Sequence, residues 1–267
     1  MIPEVTFASP PVTEVAAGVQ FAPLAGLHVH HIGLLWEKFR DRFPVVEEHP
    51  TLDPVFEKFG ERKPLVPSIN VKLVTETALP RCWFLTKDGS ELIQLQADRF
   101  FHNWRRQGEG QAYPTYAVVR DSLRRELSIF EDFILENELD KLTPNQCELT
   151  YVNQIVSGSA WHSHADLERL VTVWKSPELS NIEEVRFVIR RLIIDEGGQP
   201  IGRLHVDMQP VYRIPDDKPA FILKIIARGK PLGDDLDGVF RFLDRGHKEA
   251  LETFTAISSK TLQTDWS

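Results

Sequence analysis

The chain has 267 residues, of which 42% are hydrophobic, 26% charged and 10% aromatic, the profile of an ordinary globular protein able to bury a core without staples. A net charge of −8 supplies no general attraction for phosphate backbones or anionic lipid, so neither nucleic acid nor membrane is expected as a partner. Cys82 and Cys147 are too few for a disulfide scaffold or a cysteine metal site, and their apolar, strand-like surroundings predict reduced, buried thiols in a cytoplasmic protein.

The opening MIPEVTFASPPVTEV has neither a basic nor an apolar targeting region, and export is not expected. Residues 13–21 predict a strand with Val15, Ala17 and Val19 on one face. Residues 27–43 predict an amphipathic helix, with Leu27, Ile32, Leu35, Trp36, Phe39 and Phe43 at helical spacing and Pro44 as its stop. The proline-bearing stretch 45–67 reads as an irregular connection. Strands are predicted over 69–77, 81–87 and 91 to about 101, with Asp88-Gly89 supplying the positive φ of a tight hairpin. A long helix over 117–138 carries a stripe of Val118, Leu123, Leu127, Phe130, Phe133 and Ile134.

After Thr143 the order begins again. A strand over 146–156 precedes a short helix over 164–174 with Ser163 as its N-cap; strands over 183–195, 202–213 and 221–228 lead to a helix over 234–257 capped by Asp234 or Asp235. Each half thus reads strand, helix, three strands, long helix. This predicts an α+β fold with residues 1–267 as a single two-layer domain: halves 1–143 and 144–267 share one curved, mostly antiparallel sheet of about eight strands, with long helices on one face. The alternative is two separate domains joined near Thr143, which the lack of linker composition there disfavours.

The segment 92–106, LIQLQADRFFHNWRR, holds the densest polar chemistry. Ile93, Leu95 and Ala97 fall on one side of a strand and Leu92, Gln94 and Gln96 on the other. With Arg99, Asn103, Trp104 and Arg105 the glutamines form a set of amide, guanidinium and indole groups that hydrogen-bond without titrating near neutral pH, which suits recognition better than catalysis. The plainer reading is a half-exposed strand running into a loop, its polar side chains solvated. In the last helix, Leu236, Phe240, Leu243, His247, Leu251, Phe254 and Ile257 make an inward stripe. His247 is expected to face the sheet, with Asp244 placed to hold a ring nitrogen and Gly246 allowing close approach. Tyr151 and Asn153 share a strand face, so they, His247 and the glutamines form a candidate network; the plainer reading of His247 is a core histidine satisfied by one hydrogen bond.

His28, His30 and His31 lack metal-ligand spacing and read as the solvated first turn of a helix, and no metal is expected there. No phosphate loop, nucleophile elbow, His-Glu-x-x-His or paired-cysteine motif is present, so no catalytic residue and no cofactor is assigned.

The stretches PPVTEVAAGVQF, IQLQADRFFHNWR, YPTY, ELTYVNQI and LDRGHKEALETFTAI, with Trp266 near the end, resemble a family of sporadically distributed bacterial proteins of this length and uncharacterised function. The resemblance spans nearly the whole chain and implies a bacterial, cytoplasmic protein of patchy, mobile or defence-associated occurrence. It implies no catalytic residues. The chain departs from it at Ser258-Ser259-Lys260-Thr261, where a threonine-rich segment is expected. The leading functional expectation is a non-enzymatic module that binds a protein partner in an accessory or defence-type system. The alternative is a small-ligand binder or unrecognised enzyme with a cavity between the sheet and the C-terminal helix.

Overall fold

Small and β-branched residues alternate from Val12 to Phe21, and this segment becomes the strand on which the two ends of the sheet meet. The computed structural model describes residues 7–60, 79–108, 110–158, 160–175, 181–214 and 216–267. In chain order the elements are β1 (Val12–Phe21), α1 (Val29–Phe39), β2 (Val45–His49), β3 (Arg81–Leu85), β4 (Glu91–Gln96), β5 (Arg99–Arg105) and α2 (Tyr116–Glu136). There follow β6 (Pro144–Val156), a 3-10 turn (His164–Asp166) running into α3 (Leu167–Leu170), β7 (Phe187–Ile194), β8 (Pro200–Arg213), β9 (Lys218–Gly229), α4 (Leu236–Ile257) and α5 (Lys260–Trp266). The nine strands form an open sheet in the order β2-β3-β4-β5-β1-β6-β9-β8-β7, and every neighbouring pair is antiparallel. The α+β class and the antiparallel sheet therefore agree with expectation.

Val15, Ala17 and Val19 of β1 are fully buried, in register with Trp104, His102 and Phe100 of β5 and with Tyr151, Leu149 and Cys147 of β6. Residues directly opposed across a ladder share a face, so this register defines the core face of the sheet. Through their apolar stripes, α2 contacts β5 and β1, and α4 contacts β6, β9 and β8. Gly246 permits the close approach of α4: a Cβ at that position would lie 2.9 Å from the Cβ of Ala227 on β9. Asp235 caps α4, its carboxylate accepting the Gly238 N–H at 2.7 Å.

Several local expectations need correction. The strand predicted from 91 to about 101 is two strands, β4 and β5, joined by a turn at Ala97-Asp98. Its backbone is held from outside, Phe21 and Leu24 donating to the Asp98 and Ala97 carbonyls, so no turn-forming glycine is required. The stretch 45–67 begins with β2, an exposed strand that among the described residues pairs with β3 alone. The helix over 164–174 shrinks to the 3-10 turn and the four residues of α3. Val119, not Val118, is the buried valine of α2. The predicted strand 69–77 lies outside the described residues. The Asp88-Gly89 hairpin forms as expected, with Gly89 at φ +68° and the Asp88 carboxylate accepting the Ser90 N–H.

Candidate functional site

The other face of the sheet carries the polar groups. Gln96 lies opposite Arg99, Arg99 opposite Gln20, and Gln20 opposite Gln146, so four polar side chains form one row across β4, β5, β1 and β6. All four residues are buried, against the reading that the polar strand residues are solvated. Residues 51–60, the segment following β2, cross this face as a strap and reach three of the four, Gln20, Gln96 and Arg99.

The contacts are directed at the strap's backbone. The Gln96 amide donates from Nε2 to the Leu52 carbonyl at 2.9 Å and accepts the Leu52 N–H on Oε1 at 2.9 Å. Gln20 does the same two strands away, donating to the Val55 carbonyl at 2.9 Å and accepting the Val55 N–H at 3.1 Å. A primary amide matches a peptide unit donor for acceptor, so each glutamine satisfies both backbone groups of one strap residue. Arg99 adds a bond to the Leu52 carbonyl at 3.0 Å, while its own charge is met by Asp98. Pro50 and Pro54 restrict the strap's φ angles and thereby lower the entropy lost on fastening it.

The strap's far end is fixed by charge. Glu57 reaches β8 and β9, where Arg203 pairs with one carboxylate oxygen and the other meets His205 Nε2 at 2.6 Å and Arg228 at 3.6 Å. Burial works to raise the Glu57 pKa, but the His205 hydrogen bond and the charges of His205, Arg203 and Arg228 prevail and hold it below the usual 4.5. Arg203 also donates to the Lys58 carbonyl at 3.0 Å and stands over the Phe59 ring at 5.3 Å. The apolar side chains of the strap are not buried: Leu52 is 45%, Val55 44% and Phe56 48% exposed.

The remaining residues of the 92–106 set divide by strand alternation. Gln94 and Asn103 are on the polar face; Gln94 donates to Asn103 Oδ1 at 2.8 Å, and Asn103 donates to Glu14 at 2.7 Å. Arg105 stands over Trp83 at 5.3 Å, and Arg81 lies at the same distance from that ring. The indole beside Arg105 is thus Trp83 of β3, not its sequence neighbour Trp104, which points into the core against Tyr113.

Tyr151, Asn153 and His247 do come together, but on the core face, separated from the glutamines by the sheet. The single network expected from sequence is therefore two sites. All three line a cavity of about 440 Å³ between the sheet, α4 and the start of α2. The Tyr151 hydroxyl meets His247 Nδ1 at 2.8 Å, and Asn153 donates to the Leu223 carbonyl at 3.0 Å. Asp244, the expected holder of a ring nitrogen of His247, is engaged by α2. It accepts from the Tyr116 hydroxyl at 2.8 Å and from Arg120 at 2.6 Å, and the Tyr116 ring stacks on the imidazole at 4.1 Å.

A third constellation has no counterpart in the sequence reading. His102 of β5 meets Glu126 of α2 at 2.9 Å with both side chains buried, and Arg42, just after α1, donates to Glu126 at 2.9 Å and pairs with Glu91 of β4. Glu126 falls on the inward side of α2, a position in a polar-rich helix that periodicity alone does not separate from its exposed neighbours. Among the described residues no group of three or more His, Cys, Asp or Glu is placed to hold a metal ion, and no helix is long and apolar enough to cross a membrane. No protein-family model and no curated protein sequence matches the chain.

Proposed function

We propose that the chain is a non-enzymatic protein-recognition module and that the braced strap is its contact surface. The observation that carries this reading is the paired grip of Gln20 and Gln96. Both amides hold backbone and leave side chains untouched, so Leu52, Val55 and Phe56 stay half-exposed on a segment of fixed conformation. A row of apolar side chains held in one geometry gives a partner apolar area to bury at little ordering cost. The partner would be a protein with an apolar patch, since the strap itself supplies no exposed basic cluster.

A second inference concerns architecture: residues 1–267 act as one two-layer domain made of two similar halves, with α2 and α4 on one face. Its support is the strand order on either side of the β1–β6 pair, where β5-β4-β3 on one side is answered by β9-β8-β7 on the other. The bond of Tyr116 on α2 to Asp244 on α4 supports the neighbouring position of the two helices in this reading. Cytoplasmic location in a bacterial accessory or defence-type system belongs to the same proposal; the buried, unpaired Cys82 and Cys147 are compatible with it.

The test is affinity capture from a lysate of the native host with the tagged full chain and with Leu52→Ser/Phe56→Ser. Both sites are exposed, so the variant keeps its fold. Loss of a reproducible partner from the variant alone supports the reading; the same captured set from both proteins removes it.

A further inference from the structure

We infer that the core-face cavity is a binding site for an uncharged, planar, largely apolar small molecule that presents a hydrogen-bond-accepting oxygen to Tyr113. This is independent of the strap, which lies on the opposite face of the sheet.

The size and walls fit such an occupant. About 440 Å³ lies within the range of small-molecule pockets. Phe7, Val12, Ile225, Leu251 and Phe254 supply apolar walls, and three of the chain's four tyrosines, Tyr113, Tyr116 and Tyr151, converge on the same space. Flat aromatic walls favour a flat ligand. Among the described residues, the lining contains no lysine, arginine or carboxylate. Asp244 and Arg120 lie just behind Tyr116, but each neutralises the other. An ionic ligand would lose its hydration with no permanently charged side chain among these residues to replace it.

The polar groups set the polarity of the ligand. The Tyr151 hydroxyl meets His247 Nδ1, and the stacked Tyr116, itself anchored on Asp244, fixes the imidazole plane. The Tyr113 hydroxyl, by contrast, is buried with no hydrogen-bond partner. The Tyr151 hydroxyl, which meets His247 Nδ1, lies close enough to act on the Tyr113 phenol but is not in hydrogen-bonding geometry with it. Burial pushes the Tyr113 phenol up to about 12, so near neutral pH it is an O–H donor lacking an acceptor. A neutral carbonyl or ether oxygen supplies what is missing.

Backbone strain marks the same place. Thr115, on the cavity wall, adopts φ +79° and ψ 156°, a region that non-glycine residues rarely enter. The bend it makes brings both Tyr113 and Tyr116 to the cavity. A β-branched residue held so, beside an orphaned donor, fits a site shaped for binding better than simple core packing.

Three probes of similar size separate the possibilities: coumarin, neutral with a carbonyl; naphthalene, neutral without an acceptor; and 2-naphthoate, an anion. Binding to the purified full chain is followed by saturation-transfer NMR and calorimetry, with circular dichroism as the check on folding. Coumarin should bind at one site and more tightly than either other probe. Tyr113→Phe should weaken coumarin about tenfold, the worth of one hydrogen bond, while leaving naphthalene unchanged. Without ligand this variant should be no less stable than the parent, because the deleted hydroxyl has no partner to orphan. Ala117→Trp, at an exposed position on the cavity wall, should block both neutral probes. The inference is overturned if folded protein binds none of the three, if 2-naphthoate binds best, if Tyr113→Phe binds coumarin as tightly as the parent, or if Ala117→Trp leaves binding unchanged.

Discussion

Gln20 and Val55, 35 residues apart, are joined by two hydrogen bonds in which a side-chain amide stands in for a neighbouring strand, donating to the Val55 carbonyl and accepting its N–H. The strap has no ladder of its own on this face; it is fastened at points. Its stability is therefore set locally by a few polar contacts and not by apolar burial.

Removing one fastening should free the strap without unfolding the sheet. Gln20→Ala deletes both bonds to Val55, and the released backbone groups can turn to water, so the global cost should be no more than about 1–2 kcal/mol. Amide exchange at Val55 should accelerate far more than exchange in β1 or β6. Equal acceleration everywhere would show that the strap is part of the global cooperative unit.

Acid should release the strap's other end. The Glu57 pKa is held below 4.5, so its contribution is fully present above that value and is lost as pH falls through the lower folded-state value. Arg203, His205 and Arg228 face the Glu57 carboxylate, and among the described residues Glu148, which pairs with Arg228, is the neighbouring carboxylate. Exchange at residues 52–58 should be slow at pH 6 and rise below pH 4.5, and Glu57→Gln should exchange fast at both. A strap whose protection does not change with pH in the parent protein would contradict the ionic anchoring of Glu57.

The buried His102–Glu126–Arg42 cluster should be the most sensitive polar feature of the core. Glu126→Ala leaves His102 and Arg42 without their shared acceptor, a change that costs about 3–5 kcal/mol when it breaks a buried ionic contact. Asn103→Ala, which strands Gln94 and Glu14, should cost about 1–3 kcal/mol. Arg124→Ala, which loses a solvent-exposed pair with Asp237, should leave the melting temperature nearly unchanged. Urea denaturation of the three variants gives the ranking directly.

Cutting the chain at Leu142 separates β1 from β6 and exposes two central strand edges. Each half should be unfolded or aggregated by circular dichroism and size exclusion. Two soluble, folded halves would mean that the halves are separate domains after all.

Periodicity made much of this legible. The inward stripe of α4, the Asp235 cap, the Asp88-Gly89 hairpin and the alternation of β1 follow from spacing and turn chemistry that are local. What failed was non-local. The Ala97-Asp98 turn has no glycine, asparagine or proline and is held by Phe21 and Leu24 from another segment, so residues 91 to about 101 read as one strand and its two arms cannot be assigned to faces. The glutamines were identified as recognition groups, but their target, the backbone of Leu52 and Val55, has no sequence signature. Nothing in the sequence itself brings the cavity tyrosines Tyr113 and Tyr116 to His247 and Tyr151; the fold does.

The most direct measurement of the central claim is partner capture by a protein whose strap is intact in sequence but unfastened. Gln20→Ala/Gln96→Ala keeps Leu52, Val55 and Phe56 and removes the side chains that fix their backbone. With the sheet shown to be folded by circular dichroism, capture from the native host lysate should fall well below that of the parent protein, and an Arg124→Ala control should capture normally. A double variant that captures the same partner as efficiently as the parent would contradict the account, since braced geometry would then contribute nothing to recognition.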